Sequence, residues 1–398
     1  MLKPCLAALT LLLLLASGAA AADGSPPIAR GRYLAILGDC AVCHTRQQAG
    51  AARFAGGYPL HAAPGTVYSS NITPDPETGI GKWTQGQFYR ALHEGLSADG
   101  RHLYPAFPYA YFSRLSRADS DALFAYLKTV KPVRYRPPRN RLVFPANIRG
   151  GMAVWNLLYL SGGALKSDPS KPAQWNRGNE IVNGIGHCGA CHSPKNFLFA
   201  DTQGTSLRGN SVDGWYAPNL TAAKRDGLGA WTKADIVQYL RTGENRFSRV
   251  AGAMGDVVRQ STGLMTDADR LAVATYLKSL PADPAPAPHT PGMQAMQAGR
   301  DVYVARCASC HGIGGRGTPD YPALAGNTLV QARNPDTVVH VILRGAQSIQ
   351  PTGYSMPAFP VLSDTDLADL ATYIRNAWGN RAEPVSEKDV ARLEKSLE

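Results

Sequence analysis

Beyond its first 22 residues, this 398-residue sequence has no apolar run able to cross a bilayer, which takes about 20 residues. The best candidate, residues 152–160, is short and interrupted by Asn156. Such a segment either packs between domains or rests at a membrane or subunit surface. Methionine is scarce, and none of the seven falls between Met1 and Met152. There is no phosphate-binding glycine loop, no nucleophile–base pair and no paired-carboxylate motif, so hydrolytic and group-transfer chemistry has no visible residues. Asp75 and Glu77 lie in a proline-rich stretch, residues 71–79, that a turn explains without a cation. Disulfides are excluded by arithmetic: six of the seven cysteines are taken by one repeated motif, leaving only Cys5.

That motif is Cys-X-X-Cys-His, present as Cys40-Ala41-Val42-Cys43-His44, Cys188-Gly189-Ala190-Cys191-His192 and Cys307-Ala308-Ser309-Cys310-His311. A zinc ribbon needs two cysteine pairs brought together, and a thioredoxin-like pair needs no following histidine. In this pentapeptide both thiols can add to the vinyl groups of a haem, which sets the adjoining imidazole against one face of the iron. The chain is therefore expected to hold three haem c groups, with His44, His192 and His311 as proximal ligands.

The N-terminus supports this. Lys3, an apolar run over residues 6–16 and the small residues Ala20-Ala21-Ala22 read as a signal peptide, residues 1–22, removed on export to the periplasm. Cys5 precedes the apolar run and does not fit a lipid-anchored cysteine. The formal charge of +11 falls to +10 without Lys3, and six haem propionates bring it nearer neutrality, so nucleic acid is not an expected partner. A basic run of Lys131, Arg134, Arg136, Arg139 and Arg141 alternates with prolines. It reads as a solvated linker or as a surface for an acidic partner or anionic lipid.

Internal repetition sets the architecture. Ahead of each motif comes a helical pattern containing a glycine (Gly31, Gly178, Gly299), and each repeat closes on a helical pattern carrying a tyrosine (Tyr126, Tyr276, Tyr373). A glycine lets another helix cross closely, so each repeat can clamp its first helix under its last. The first two repeats share more: Asn71-Ile72-Thr73 and Gly79-Ile80-Gly81-Lys82-Trp83-Thr84 return as Asn219-Leu220-Thr221 and Gly227-Leu228-Gly229-Ala230-Trp231-Thr232. The expected organisation is mainly α. Three units cover residues 23–132, 173–280 and 293–380, with linkers at 133–172 and, rich in proline, at 281–292, and a tail at 381–398. The second linker is expected to be extended and semi-rigid, keeping the third unit apart yet within reach. In the tail, Val390, Leu393 and Leu397 form a narrow stripe on a short helix, too little area to hold lipid alone. Each unit is small, so haem is expected to supply much of the core and the apoprotein to fold poorly.

A methionine sulfur opposite the histidine raises the reduction potential of such a haem. Met254, 62 residues after His192, and Met356, 45 after His311, are the candidates, both placed in loops. Met265 competes with Met254 but abuts the last helix of its repeat, a packing position. In the first repeat the same spacing reaches Phe107, 63 residues after His44, which cannot ligate iron. The first haem is then five-coordinate, uses another side chain (His102, His93 or the more remote His61), or borrows Met152.

With these residues in view, nearly the whole mature chain resembles the three-haem cytochrome c subunits of bacterial periplasmic dehydrogenases, the membrane-associated alcohol, gluconate, fructose, aldehyde and N-heterocycle-oxidising enzymes. The resemblance rests on Gly184-Ile185-Gly186-His187-Cys188-Gly189-Ala190-Cys191-His192, Gly100-Arg101-His102-Leu103-Tyr104-Pro105-Ala106 and Trp175-Asn176-Arg177-Gly178. It implies three tandem class I cytochrome c domains joined by proline-rich linkers. It also implies electron transfer from a separate catalytic subunit to membrane quinone or a terminal oxidase, and a periplasmic place at the inner membrane within a complex. His44, His192 and His311 match proximal ligands of those subunits and Met254 and Met356 distal ones. Where many members carry methionine, this chain has Phe107, and the phenylalanine form resembles subunits that accompany molybdenum hydroxylase-type partners. Two other readings stay open: a haem enzyme using an open first haem, peroxidase-like, and a free periplasmic electron shuttle. The intact mass of the exported polypeptide should exceed that of its amino acids by three porphyrins, and a smaller increment would remove the basis of every reading above.

Overall fold

The computed structural model describes residues 27–283, 286–349 and 353–397, so the expected signal peptide lies outside the described residues. In the first unit, α1 (Pro27–Leu37) leads into α2 (Cys40–Cys43), then the hairpin β1 (Pro59–Ala62) and β2 (Gly65–Tyr68), α3 (Gln85–Glu94), α4 (Tyr109–Phe112) and α5 (Arg117–Leu127). The segment after it adds β3 (Arg141–Leu142), antiparallel to β2 with Gly65 opposite Leu142, and α6 (Gly151–Tyr159). The second unit repeats the order: α7 (Ala173–Glu180), α8 (Gly189–His192), the hairpin β4 (Asn210–Val212) and β5 (Trp215–Ala217), α9 (Lys233–Thr242), the ribbon β6 (Glu244–Asn245) and β7 (Ser248–Arg249), α10 (Ala253–Gln260) and α11 (Asp267–Ser279). The third is α12 (Met293–Arg306), α13 (Ala308–His311), α14 (Asp336–Arg344), α15 (Asp364–Asn376) and α16 (Glu387–Ser396).

Local sequence sets these ends. The closing helices α5, α11 and α15 start at Ser116, Thr266 and Ser363, whose hydroxyls accept the backbone N–H three residues on. α3 and α9 start with reciprocal capping boxes, Thr84 with Gln87 and Thr232 with Asp235, and stop at the left-handed glycines Gly95 and Gly243.

The glycine clamp forms in all three units. A Cβ on Gly31 would strike the carbonyl oxygen of Ala122 and lie 2.8 Å from Tyr126 Cβ. On Gly178 it would meet Ala272 and Tyr276 in the same way, and on Gly299 Asp369 and Tyr373. Beside two of the crossings an arginine reaches the closing helix: Arg30 bonds Asp119 at 2.6 Å, and Arg177 bonds both oxygens of Asp269 at 2.9 and 3.0 Å. The third unit has Ala298 at that place. From clamp glycine to first cysteine the spacing is nine, ten and eight residues. The second unit absorbs its longer spacing in a π-helical turn, Ile181–Ile185, kinked at Gly184.

The first two units share one core, in which Leu34, Leu37, Phe124 and Leu127 join Ile181, Val182, Ile185, Val273 and Leu277. Polar bonds cross the same boundary: Tyr33 donates to Asp269 at 2.8 Å, and Arg114 to the Asn183 carbonyl at 2.7 Å. The third unit has its own core around Tyr303, Leu367, Leu370 and Ile374. Val385, Val390 and Leu393 complete that core, so the apolar stripe of α16 packs inward rather than facing lipid.

The third unit is not held apart, correcting the expectation placed on the second linker. Arg333 pairs with Asp226 and with Asp283, Trp215 stacks on His340 at 3.7 Å, and the Tyr216 N–H donates to Thr337 at 2.8 Å. Two buried carboxylates fasten this interface, Asp226 paired with Arg333 and Asp283 with both Arg333 and Arg208, and losing Arg333 would disrupt it strongly. The basic stretch after the first unit is also not a free linker, because Asn71 donates to the carbonyls of Val133 (2.8 Å) and Tyr135 (3.1 Å).

Gly178→Ala forces the α7–α11 crossing apart and should destabilise the holoprotein by about 1–3 kcal/mol. Thermal unfolding followed at the haem absorption should show a melting point lowered by several degrees, and an unchanged midpoint would refute the clamp.

Candidate haem sites

In the first two units the opening helix breaks at the residue before the first cysteine, where Asp39 (φ 53°) and His187 (φ 37°) take left-handed backbone. The motif then restarts as a single turn, which puts the two sulfurs, three residues apart, on one side with the histidine next to them. Burial, reinforced by the Asp39 charge, pushes the Cys40 thiol up to about 12. Burial likewise takes Cys188 up to about 12 and Cys307 to about 11. Thiols held protonated in this way make poor zinc ligands, whereas thioether bonds to a porphyrin carry no charge to bury. Among the described residues no three His, Cys, Asp or Glu side chains gather into a metal-binding group.

Each motif histidine is oriented identically. The ring Nδ1 meets a backbone carbonyl: Ser70 for His44 (2.7 Å), Pro218 for His192 (2.7 Å) and Pro322 for His311 (3.0 Å). A carbonyl only accepts, so Nδ1 carries the proton and Nε2 keeps the lone pair a metal needs. Burial lowers all three imidazole pKa values, outweighing the opposing carbonyl bond, so the rings are neutral at pH 7. In the first two units the acceptor lies 26 residues after the histidine, just beyond a hairpin that sets its position; in the compact third unit it lies 11 residues on.

Met356 sits in a loop, bridged antiparallel to Ala346 with N–H···O distances of 3.0 and 2.8 Å. Met254 does not: it is in the first turn of α10, because Gly252 breaks the chain before it and starts a helix. Met265 is buried in the shared core, the packing role expected of it. Phe107 packs against Phe112, with ring centroids 5.3 Å apart. Of the imidazoles proposed near the first site, His93 has both ring nitrogens engaged, with Tyr89 and Leu115 carbonyls at 3.0 Å each. His61 is on β1 beside Thr66. His102 stands opposite Leu96, its Nδ1 buried without a partner. Met152 packs with Tyr109 and Trp155.

Sequence reasoning missed how the sites meet. α10 of the second unit packs against α2 of the first, and α4 of the first packs against the π turn of the second. α2 carries the first attachment pair, Cys40 and Cys43, so the second unit packs directly on the first attachment site. Arg249 crosses from the second unit to the Asp320 carbonyl at 2.8 Å, and its charge bears on His311. Only the likeness of the first two repeats, which favours a symmetric pair, hinted at this.

The sequence profile of the cytochrome c family matches residues 28–131, 176–281 and 296–378, one match over each motif. The chain belongs to the cytochrome c family. It carries covalently bound haem c and serves electron transfer. It is 43% identical over 361 residues to one of the nicotinate dehydrogenase subunits of Pseudomonas putida, covering 88% of this chain and 30% of that protein. It is 37% identical to the fructose dehydrogenase cytochrome subunit of Gluconobacter japonicus, over 92% of this chain and 82% of the relative. The same identity and coverages hold for the cytochrome c subunit of the quinone alcohol dehydrogenase of Gluconobacter oxydans.

Replacing Met254 or Met356 by alanine should each delete one methionine-to-iron charge-transfer signal and lower the potential of one haem, whereas Met265→Ala should leave the spectrum intact. Loss of signal on the Met265 change instead would reassign the ligand.

Proposed function

We propose that this chain is the electron relay of a periplasmic dehydrogenase, taking electrons from a separate catalytic subunit and passing them to membrane quinone or a terminal oxidase. Cys40 and Cys43, Cys188 and Cys191, and Cys307 and Cys310 hold the haems. Their iron, when bound, supplies a one-electron carrier at each site. His44, His192 and His311 would hold the iron through Nε2, and Met254 and Met356 would hold it through sulfur at the second and third sites. The reading is carried by the packing of the units against one another, with α10 of the second unit on α2 of the first, one core shared by both, and Arg249 reaching the third. A relay needs closely spaced centres held rigidly, and the shared core and the Arg333 pairs supply that rigidity. The 43% identity to the nicotinate dehydrogenase relative, against 37% to the sugar and alcohol relatives, favours a donor of the N-heterocycle- or aldehyde-oxidising kind. A complex isolated from the native host should reduce all three haems on addition of the donor substrate and reoxidise them with a soluble quinone. A cytochrome that stays oxidised, or copurifies with no dehydrogenase, would leave the free-shuttle reading.

Membrane contact has a candidate face. Trp155 of α6 is buried and its indole N–H donates to the Leu198 carbonyl at 2.9 Å, tying α6 to the loop of the second unit that carries Phe197 and Phe199. On α6 and the segments around it Leu157 and Phe197 are each 85% exposed and Phe144 75%, and Val143, Ile148, Val154 and Leu158 are exposed as well. Arg101, Arg139 and Arg149 line a cleft together with Leu142 and Asn147, in the stretch that leads into α6. Protruding aromatic and aliphatic side chains with an arginine border suit the interface of an anionic bilayer. No helix among the described residues is long and apolar enough to cross one. The holoprotein should sediment with phosphatidylglycerol-containing vesicles, and Leu157→Ser with Phe197→Ser should weaken that binding at least tenfold. Binding unaffected by the double change would assign the face to a protein partner.

A further inference from the structure

The ends of α3 and α9 allow the first two units to be aligned by hydrogen bonds instead of by sequence. Each helix stops at a left-handed glycine, and the carbonyls of Gly95 and Gly243 accept the N–H of Leu103 and Val250, both at 2.7 Å. Between them runs a short antiparallel ribbon, with Leu96 opposite His102 in one unit and Glu244 opposite Arg249 in the other. Four residues past Leu103 is Phe107; four past Val250 is Met254. Phe107 lies just before α4 and Met254 in the first turn of α10, and each of these short helices packs on the haem-motif region of the other unit. Phe107 therefore stands in the backbone register of Met254.

We infer that Phe107 occupies the sixth-ligand place of the first haem site and leaves that site five-coordinate, with an apolar face open to small neutral diatomic molecules. The inference rests on the reading of Met254 as a distal ligand. A phenyl ring has no lone pair to offer, and its neighbours Phe112 (5.3 Å) and Tyr109 (6.4 Å) are aromatic. The Tyr109 hydroxyl is already donated to Asn156 at 2.7 Å, and Asn156 donates to the Glu94 carbonyl at 2.9 Å. Arg149 adds a bond to the His102 carbonyl at 2.7 Å and lies over the Tyr104 ring. The segment carrying Phe107 is thus pinned by α6 and the stretch before it and is not free to swing another residue in. His93 is consumed by its two carbonyls. His102 lacks the Nδ1–carbonyl bond that orients each of the three motif histidines, and its register counterpart, Arg249, turns toward Glu244 and Asp320.

Carbon monoxide titration of the reduced holoprotein, read optically, with electron paramagnetic resonance of the oxidised form, tests this. The expected result is one carbon monoxide bound per three haems and a high-spin signal from one haem in three. Phe107→Met should abolish both and add a methionine-to-iron charge-transfer signal. Wild-type protein with three low-spin haems inert to carbon monoxide would overturn the inference, as would ligand binding that survives Phe107→Met. A rise in high-spin signal on His102→Ala would overturn it by naming imidazole as the ligand. Met254→Ala should create a second carbon monoxide site; failure there would remove the distal role of Met254 separately.

Discussion

Three helix crossings, each of a glycine under a tyrosine-bearing turn, set the geometry on which everything else in this chain depends. Helices meeting through ordinary side chains sit about 8–10 Å apart, and a bare glycine lets the closing helix come nearer at one fixed point. That point determines where the opening helix ends, and so where the cysteine pair begins. The spacing from crossing to cysteine nevertheless varies by two residues among the units. In the second unit the π turn takes up its longer spacing, leaving both the crossing and the haem motif intact. The clamp and the motif are thus fixed, and the helix between them is the adjustable part.

Fusing two units through one core has a direct electrical consequence. Had each unit closed its own core, the attachment sites would be separated by two polar surfaces and a variable gap. Here Ile181, Val182 and Ile185, which lead into the second motif, pack in the core that also buries Leu34 and Leu37 leading into the first. Rigidity at the donor–acceptor boundary comes from the same contacts that give stability. The third unit is fastened differently, by Arg333 between two buried aspartates and by His340 under Trp215, a polar and more separable joint.

Much of this is legible in the sequence for a physical reason: covalent haem attachment and helix crossing are both local chemistry that needs particular residues at short spacing. The motifs, the clamp glycines, the capping residues and the duplication of the first two repeats can all be read that way. What escapes depends on packing between distant segments. Gly252 and Gly255 make the surroundings of Met254 read as a loop, yet Gly252 only sets the turn that begins α10. The proline-rich stretch before the third unit reads as a spacer, since composition describes a linker's own stiffness and not the ion pairs formed by the bodies it joins. Val390 and Leu393 read as a stripe without a partner, because the apolar face on α14 and α15 that receives them is assembled only by the fold.

The asymmetry of the first site and the position of the apolar face belong together. Asn156 on α6 anchors the segment that carries Phe107, and the opposite side of the same helix presents Leu157 and Leu158 outward. Whatever covers that outer side bears on the segment carrying Phe107 through one turn of helix. A site without methionine sulfur has a lower potential than its methionine-ligated neighbours. In the proposed relay, a lower-potential centre beside a face that meets a bilayer would be matched to a quinone dissolved there, whereas methionine-ligated centres would be better matched to a high-potential oxidase. On the proposed reading, phenylalanine in place of methionine at position 107 would bring the first haem toward the potential of a quinone. The pinning of that segment by Asn156 and Arg149 holds Phe107 among the aromatic side chains of Tyr109 and Phe112.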